Sequence, residues 1–174
     1  GQGGAYVIWD DRSEYSLGEI YATHLSSDGS ILNIGTGVLI MNHFASMQAG
    51  RSGISLETGG SGHAVLGWAD DRNTSGFYDI YTQRIDQDCN TLYSASDEGG
   101  KIVSSIGSAD LLTRHPRITY MNESTTVMVW EDYRNEDGSN SDVYLQMLDT
   151  NGDGILVDNG IAISTAENSQ YLPR

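Results

Sequence analysis

An all-β fold made from three copies of one unit is what this sequence predicts, and three observations carry that prediction. All of its tryptophans, Trp9, Trp68 and Trp130, stand 59 and then 62 residues apart; Tyr21, Tyr81 and Tyr144 keep step at 60 and 63; and helical periodicity is nowhere sustained. The copies run approximately over 1–50, 51–112 and 113–174.

Each copy repeats the same order of signals. Residues 5–9, 64–68 and 126–130 are apolar at nearly every position and rich in β-branched types, which predicts a strand covered by protein on both faces. A second run alternates, with Tyr21, Thr23 and Leu25 on one face, then Tyr81, Gln83 and Ile85, then Tyr144, Gln146 and Leu148. Alternation of this kind predicts a strand nearer an exposed rim.

The turn that follows reads Asp28-Gly29, Asp88-Cys89 and Asn151-Gly152, and Asx-Gly between strand-like runs is a strong hairpin signal. Cys89 holds the place of a glycine in the sister copies. A third strand is expected at Ile31-Leu32, Leu92-Tyr93 and 155–157, with further pairing at 38–40, 102–103 and 161–163. Short segments at 51–55 and 115–119 precede the next tryptophan run, and Tyr171-Leu-Pro-Arg174 matches their start.

Four short antiparallel strands in a unit of about 60 residues is the pattern of a β-propeller blade. Sheets packed between neighbouring sheets also explain strands that are apolar on both faces. A sandwich does not predict three copies in register, and solenoid coils are shorter. Closed propellers hold roughly 4 to 8 blades, so three blades are expected to be part of a larger or oligomeric propeller, two copies supplying six. The start at Gly1, without methionine, reads as a processed protein or an excised fragment, and its two ends together would make nearly one unit.

Composition narrows the partners. With 24 acidic against 9 basic residues and a formal charge of -15, the chain repels phosphate backbones, which excludes nucleic acid as a natural ligand. No apolar run approaches the roughly 20 residues of a membrane helix. The single cysteine, Cys89, forms no internal disulfide and belongs to no zinc-type spacing.

The repeated Asp and Arg positions are expected to serve the fold, because a motif present in every unit does in each what the fold requires. Arg12, Arg72 and Arg134 are expected to pair with carboxylates such as Glu19, Asp79 and Asp142. The tryptophans and tyrosines are expected in the core or between sheets.

Asp149-Thr-Asn151-Gly-Asp153-Gly154 places oxygen ligands at positions 1, 3 and 5 with glycine at 6, the first half of an EF-hand-type calcium loop, and Asp158 could add another oxygen. Gly160 stands where the position-12 glutamate belongs and no helices flank the loop. A plain hairpin turn therefore competes with calcium, the one cofactor the sequence suggests. No catalytic residues are assigned: His24, His43, His63 and His115 fall at unrelated repeat positions without a serine or cysteine elbow. Asn73-Thr-Ser75 and Asn122-Glu-Ser124 are glycosylation sequons in expected loops.

Trp130-Glu-Asp132-Tyr-Arg134 with Asp142-Val-Tyr144-Leu-Gln146 resembles the blade repeats of secreted bacterial and archaeal β-propeller proteins. So does Trp68-Ala-Asp70-Asp-Arg72 with Asp79-Ile-Tyr81-Thr-Gln83. The first unit departs, with Trp9-Asp-Asp11-Arg12 shortened and Glu19 and Thr23 in place of Asp and Gln. The resemblance covers essentially the whole chain and implies an extracellular or cell-surface setting, but no single activity. The Asp-box of sialidase-like propellers is missing: Ser26-Ser-Asp28-Gly29 has its glycine one place early and no tryptophan.

The expected function is a non-catalytic extracellular module for binding, adhesion or surface assembly, with another copy of itself, flanking domains, a glycan or a surface protein as partner. The alternative is part of a secreted glycan-active propeller. Function is expected where the copies disagree, at 73–78, 97–109 and 135–141.

Overall fold

The computed structural model describes residues 4–11, 19–42, 54–59, 61–74, 77–94, 99–106, 113–134, 140–171 and 173–174. Strand β1 covers Gly4–Asp11, β2 Glu19–Ser26 and β3 Val38–Asn42; β4 covers Ser55–Thr58, β5 Ala64–Thr74, β6 Phe77–Ile85 and β7 Lys101–Ser104. The last unit holds β8 (Thr113–Asn122), β9 (Thr125–Asp132), β10 (Asp142–Leu148) and β11 (Ile161–Ser164). They form three antiparallel sheets, ordered β1-β2-β3, β4-β5-β6-β7 and β8-β9-β10-β11. Each sheet lies within one predicted unit. The first has three strands among the described residues, where four were expected.

The register is the same in every unit. Trp9 pairs Tyr21, Trp68 pairs Tyr81 and Trp130 pairs Tyr144 across neighbouring strands. Their rings stack with centroids 5.8, 6.1 and 6.4 Å apart. Glycine at 37, 100 and 160 lets the chain pass against each indole: a Cβ on Gly100 would lie 2.5 Å from the Trp68 ring, one on Gly160 2.7 Å from Trp130, and one on Gly37 would collide with Trp9.

Sheet stacking follows from the alternation of side chains along a strand. Ala64, Leu66 and Trp68 of the middle sheet pack with Tyr81 and Ile85 against Ile20, Ala22, Ile40 and Met41 of the first sheet. Val65, Ala69 and Ile80 point the other way and pack against Ile118, Met128, Trp130, Tyr144 and Leu148 of the third. The tryptophan strand is thus apolar on both faces because the middle sheet is covered on both.

Two expectations are corrected. The second run is not a rim strand: β6 lies third of four, between β5 and β7, and its polar members are buried. Thr82 donates to the Leu66 carbonyl at 2.8 Å. Gln83 accepts from the Tyr93 N–H at 2.9 Å and donates to the Gly99 carbonyl at 2.9 Å. Polar atoms so bonded tolerate burial, which is why alternation here does not mark exposure.

The expected third strands at Ile31, Leu92 and 155–157 form only single bridges, Leu25 to Ile31, Ile85 to Thr91 and Leu148 to Gly154. Each keeps one backbone bond to the second strand, Leu32 to His24, Leu92 to Arg84 and Ile155 to Met147, and beyond it the backbone is held by a side chain. Gln146 takes the Leu156 N–H at 3.0 Å and gives to the Val157 carbonyl at 2.9 Å, as Gln83 does around Tyr93, and Thr23 donates to the Leu32 carbonyl. The outer strand of each sheet lies further on, at β3, β7 and β11.

The hairpin turn itself is as expected. The N–H groups of Gly29, Cys89 and Gly152 each donate at 3.0 Å to the carbonyls of Ser26, Asp86 and Asp149. All three adopt positive φ, including Cys89 at 59°, where an L side chain is strained.

Candidate functional site

The repeated tryptophan box sits where β5 leads into β6 and β9 into β10. The Trp68 indole N–H donates to Asp70 at 3.1 Å, and the Arg72 backbone N–H and Nε donate to the same carboxylate at 2.8 and 3.1 Å. In the third unit Trp130 donates to Asp132 at 2.8 Å, and the Arg134 backbone N–H and Nε at 2.9 Å each. Arg72 and Arg134 lie flat over Tyr81 and Tyr144, 4.2 and 3.9 Å from the ring centroids. Each box is therefore a column of indole, phenol and guanidinium around one carboxylate.

Asp70 and Asp132 are both 0% exposed. A buried carboxylate needs the bidentate guanidinium and the extra donors found here. The arginines thus bond at short range to the aspartate two residues earlier; the expected partners were Asp79 and Asp142. Asp79 is held by the Asn73 side-chain amide at 2.8 Å, and burial raises its pKa above the ordinary carboxylate value despite that bond. In the first unit Arg12 lies outside the described residues, while Trp9 and Tyr21 keep the stacked pair.

Chemically, the second box is closed. The Arg72 side chain is only 5% exposed, so its charge serves the sheet and not a ligand in solvent. Arg134 adds a link between units, donating to Ser104 Oγ at 3.2 Å and the Asn159 carbonyl at 2.8 Å. The Tyr81 hydroxyl is buried and has no hydrogen-bond partner among the described residues; burial first, then the Asp70 charge, raises its pKa.

The calcium candidate is an Asx turn. Asp149 Oδ1 accepts from the Asn151 and Asp153 backbone N–H groups at 2.8 and 2.9 Å, and these bonds, that from Asp153 foremost, lower its pKa. Lys101 Nζ lies 2.5 Å from Asp153 and donates to the Asn151 carbonyl at 3.1 Å. Asp158 is exposed. Among the described residues no group of three or more His, Cys, Asp or Glu side chains is placed to hold a metal ion. Asp28 and Asp86 form the same turn in the sister units, accepting from Ser30 and from Asp88 and Asn90.

Of the histidines, His115 contacts Glu131 at 3.0 Å in the third sheet, His63 meets Ser61 at 3.0 Å, and His24 lies against Tyr6. The structure does not bring them together. His43 lies outside the described residues, as do 75–76, 97–98, 107–109 and 135–139 of the loops where function was expected.

What the sequence reading missed are the two ends of the stack. Trp68 and Trp130 face the preceding sheet; in the first sheet Tyr6, Ile8, Ile20 and Ala22 face the middle one, so Trp9, Val7 and Leu39 face away from it, with Val7 and Leu39 49% and 42% exposed. At the other end Val127, Val129 and Leu145 alternate with inward Met128, Trp130 and Tyr144 and so face outward, joined by Ile161, which pairs Leu145 and is 41% exposed. The signal was present: Val7 and Val127 occupy the positions of Leu66 and Val65, both 0% exposed in the middle sheet.

No protein-family model and no curated protein sequence matches the chain. Among solved structures it is similar to an α-L-arabinanase from Penicillium chrysogenum complexed with arabinobiose, at 12% identity and TM-score 0.61 over 97% of this chain and 47% of that one. An endo-arabinase from Bacteroides thetaiotaomicron matches at 14% identity and TM-score 0.45, over 94% of this chain and 59% of that one. Arabinanases are β-propellers. The chain is therefore all-β, with three antiparallel propeller-type blades, and it spans about half the length of the solved propeller that it matches over 97% of its own residues.

Proposed function

We propose that this chain is a non-catalytic part of an extracellular β-propeller and works by association, in binding or surface assembly. The observation that carries this reading is the pair of apolar end faces, Val7 with Leu39 and Ile161 with its neighbours, left open on an otherwise strongly acidic chain. Open apolar faces on a charged protein mark contact surfaces. The repeated polar groups support it, since the second box is engaged inside its own sheet.

The test is sedimentation of the labelled chain, titrated with itself and with a panel of soluble polysaccharides. Association in any arm is expected, without release of reducing sugar. No association in any arm, or sugar release, sinks the reading.

A second reading is that the chain forms part of a glycan-active propeller. The structural likeness to an arabinanase favours it, and the missing half of such a propeller would have to supply further residues. Release of arabino-oligosaccharides from arabinan by the isolated or assembled chain would establish it.

A further inference from the structure

We propose that the cleft between the hairpin turns of the first and second units binds one neutral sugar residue. A cavity of about 330 Å³ opens there, lined by His24, Ser26, Ile31 and Leu32 of the first unit and by Gln87 and Asp88 of the second. That volume falls at the lower end of the roughly 300–1,000 Å³ of small-molecule sites. The cleft uses neither end face and does not depend on the association reading.

The cavity exists where the copies disagree. Leu32, Leu92 and Ile155 donate from their backbone N–H groups to the carbonyls of His24, Arg84 and Met147, so these last three residues hold one place in the repeat. At the second junction Arg84 spans the gap: its guanidinium reaches the Thr150 carbonyl at 3.4 Å and its Nε is buried. Gln87 stands at the place of Thr150, each two residues before a positive-φ residue, Cys89 or Gly152. The shorter His24 turns instead against Tyr6, ring centroids 4.8 Å apart, and the Tyr6 hydroxyl donates to the Gly62 carbonyl of the second unit at 2.7 Å. One wall is thereby fixed across the junction and the space before it stays open.

The polar groups around that space are unengaged. The His24 ring nitrogens, Ser26 Oγ, the Gln87 amide and the Asp88 carboxylate have no hydrogen-bond partner among the described residues. Neighbouring carboxylates are taken: Asp28 accepts from Ser30, and Asp86 from Asp88 and Asn90. Sugar hydroxyls both give and accept, and so do imidazole, serine hydroxyl and amide, while the carboxylate accepts. Ile31, 45% exposed, and Leu32 offer an apolar patch to the C–H face of a sugar ring. An anion would meet Asp88 on a chain of charge -15, and a metal ion finds no set of three ligating side chains among the described residues.

The test is an NMR chemical-shift titration of the isotope-labelled chain with D-glucose, D-galactose, D-xylose and L-arabinose, with D-galacturonate and D-glucosamine as charged controls. At least one neutral sugar is expected to shift the Gln87 side-chain amide and the His24 ring signals. Its dissociation constant should be on the order of millimolar, as about a dozen heavy atoms can deliver. Asp88→Ala, at an exposed position, should weaken binding about tenfold, because a bond to a charged acceptor is lost. His24→Arg, which copies the second junction, should abolish it, and Glu123→Ala in the turn between β8 and β9 should leave it unchanged.

No shift at these groups with any neutral sugar up to about 100 mM overturns the proposal. Binding undiminished in either pocket variant overturns it too, since the sugar then sits elsewhere. A stronger response to galacturonate or glucosamine would make the site one for a charged ligand and sink the assignment. Self-association, read separately by sedimentation, fails or holds without deciding any of these outcomes.

Discussion

The guanidinium of Arg134 lies 3.9 Å over the ring of Tyr144, and the same side chain forms a two-pronged pair with Asp132. One arginine thus closes a β-hairpin, covers an aromatic ring and neutralises a fully buried carboxylate. Removing it leaves that carboxylate uncompensated, which costs about 3 kcal/mol or more. Arg134→Ala is expected to lower urea stability by that order. Arg134→Lys should recover less than half, because an ammonium cannot make the planar fork or the stack.

Glycine contacts separate crowding from backbone strain. Gly100→Ala would push a methyl to 2.5 Å from the Trp68 ring without a positive φ, and overpacking of this kind costs roughly 1–3 kcal/mol. Gly35→Ala has φ +89° and nothing within 4 Å, so it should show only the left-handed penalty of about 1 kcal/mol. Tryptophan fluorescence during denaturation reads both, and a red-shifted native spectrum is expected for Gly100→Ala alone.

Acid sensitivity has a defined sign. Hydrogen bonds hold Asp149 below its ordinary value; for Asp86 burial raises the pKa, but bonds from Asn90 and Asp88 outweigh it. A lowered folded value gives stability that is present above the unfolded pKa of about 3.9 and is lost as pH falls through the folded one. Asp149→Asn should therefore be less stable than the native chain at pH 6, with the gap closing below about pH 4. Asp79, raised by burial, behaves oppositely: its contribution is lost as pH rises, so Asp79→Asn should gain on the native chain between about pH 4 and 7. Urea midpoints across pH 2–7 check both.

Lys101 already supplies a cation to Asp153 and the Asn151 carbonyl. With its ammonium gone, the loop of Asp149, Asn151 and Asp153 keeps its oxygens and loses its internal counter-ion. Millimolar calcium should raise the melting temperature of Lys101→Met more than that of the native chain, and EDTA should reverse the rise. No response in the variant would remove calcium from this loop.

Cys89 is 1% exposed, and its thiol is pushed up to about 11 by burial first and then by Asp86 and Asp88. Thiolate is the reactive form. Disulfide reagents at pH 7.5 are expected to label it at the rate of unfolding, with urea accelerating the reaction; fast labelling of the native chain would contradict its burial in the first junction.

Much of this architecture was legible in the sequence because a repeat tests itself. Trp9, Trp68 and Trp130 located one strand of each sheet, and Tyr21, Tyr81 and Tyr144 its partner, since pairing across a sheet preserves spacing. The outer strands were harder. Leu92-Tyr93 looks like a strand by its residues, yet after one backbone bond from Leu92 to Arg84 the Tyr93 backbone is claimed by the Gln83 side chain, a long-range bond that propensity does not encode. The expectation that the arginines pair with nearby carboxylates did not name Asp70 and Asp132, because carboxylates stand both across the hairpin and two residues back and the local turn brings the latter into reach. The end faces were missed for a different reason: Val7 and Leu66 belong to the same pattern, and what separates them is whether a neighbouring sheet covers them.

That Trp68 and Trp130 both look toward the preceding sheet gives the stack a direction. A unit carries one kind of surface in front and the other behind, and both junctions join the same two kinds of face. Whole-unit duplication would therefore lengthen such a stack without inventing a new contact.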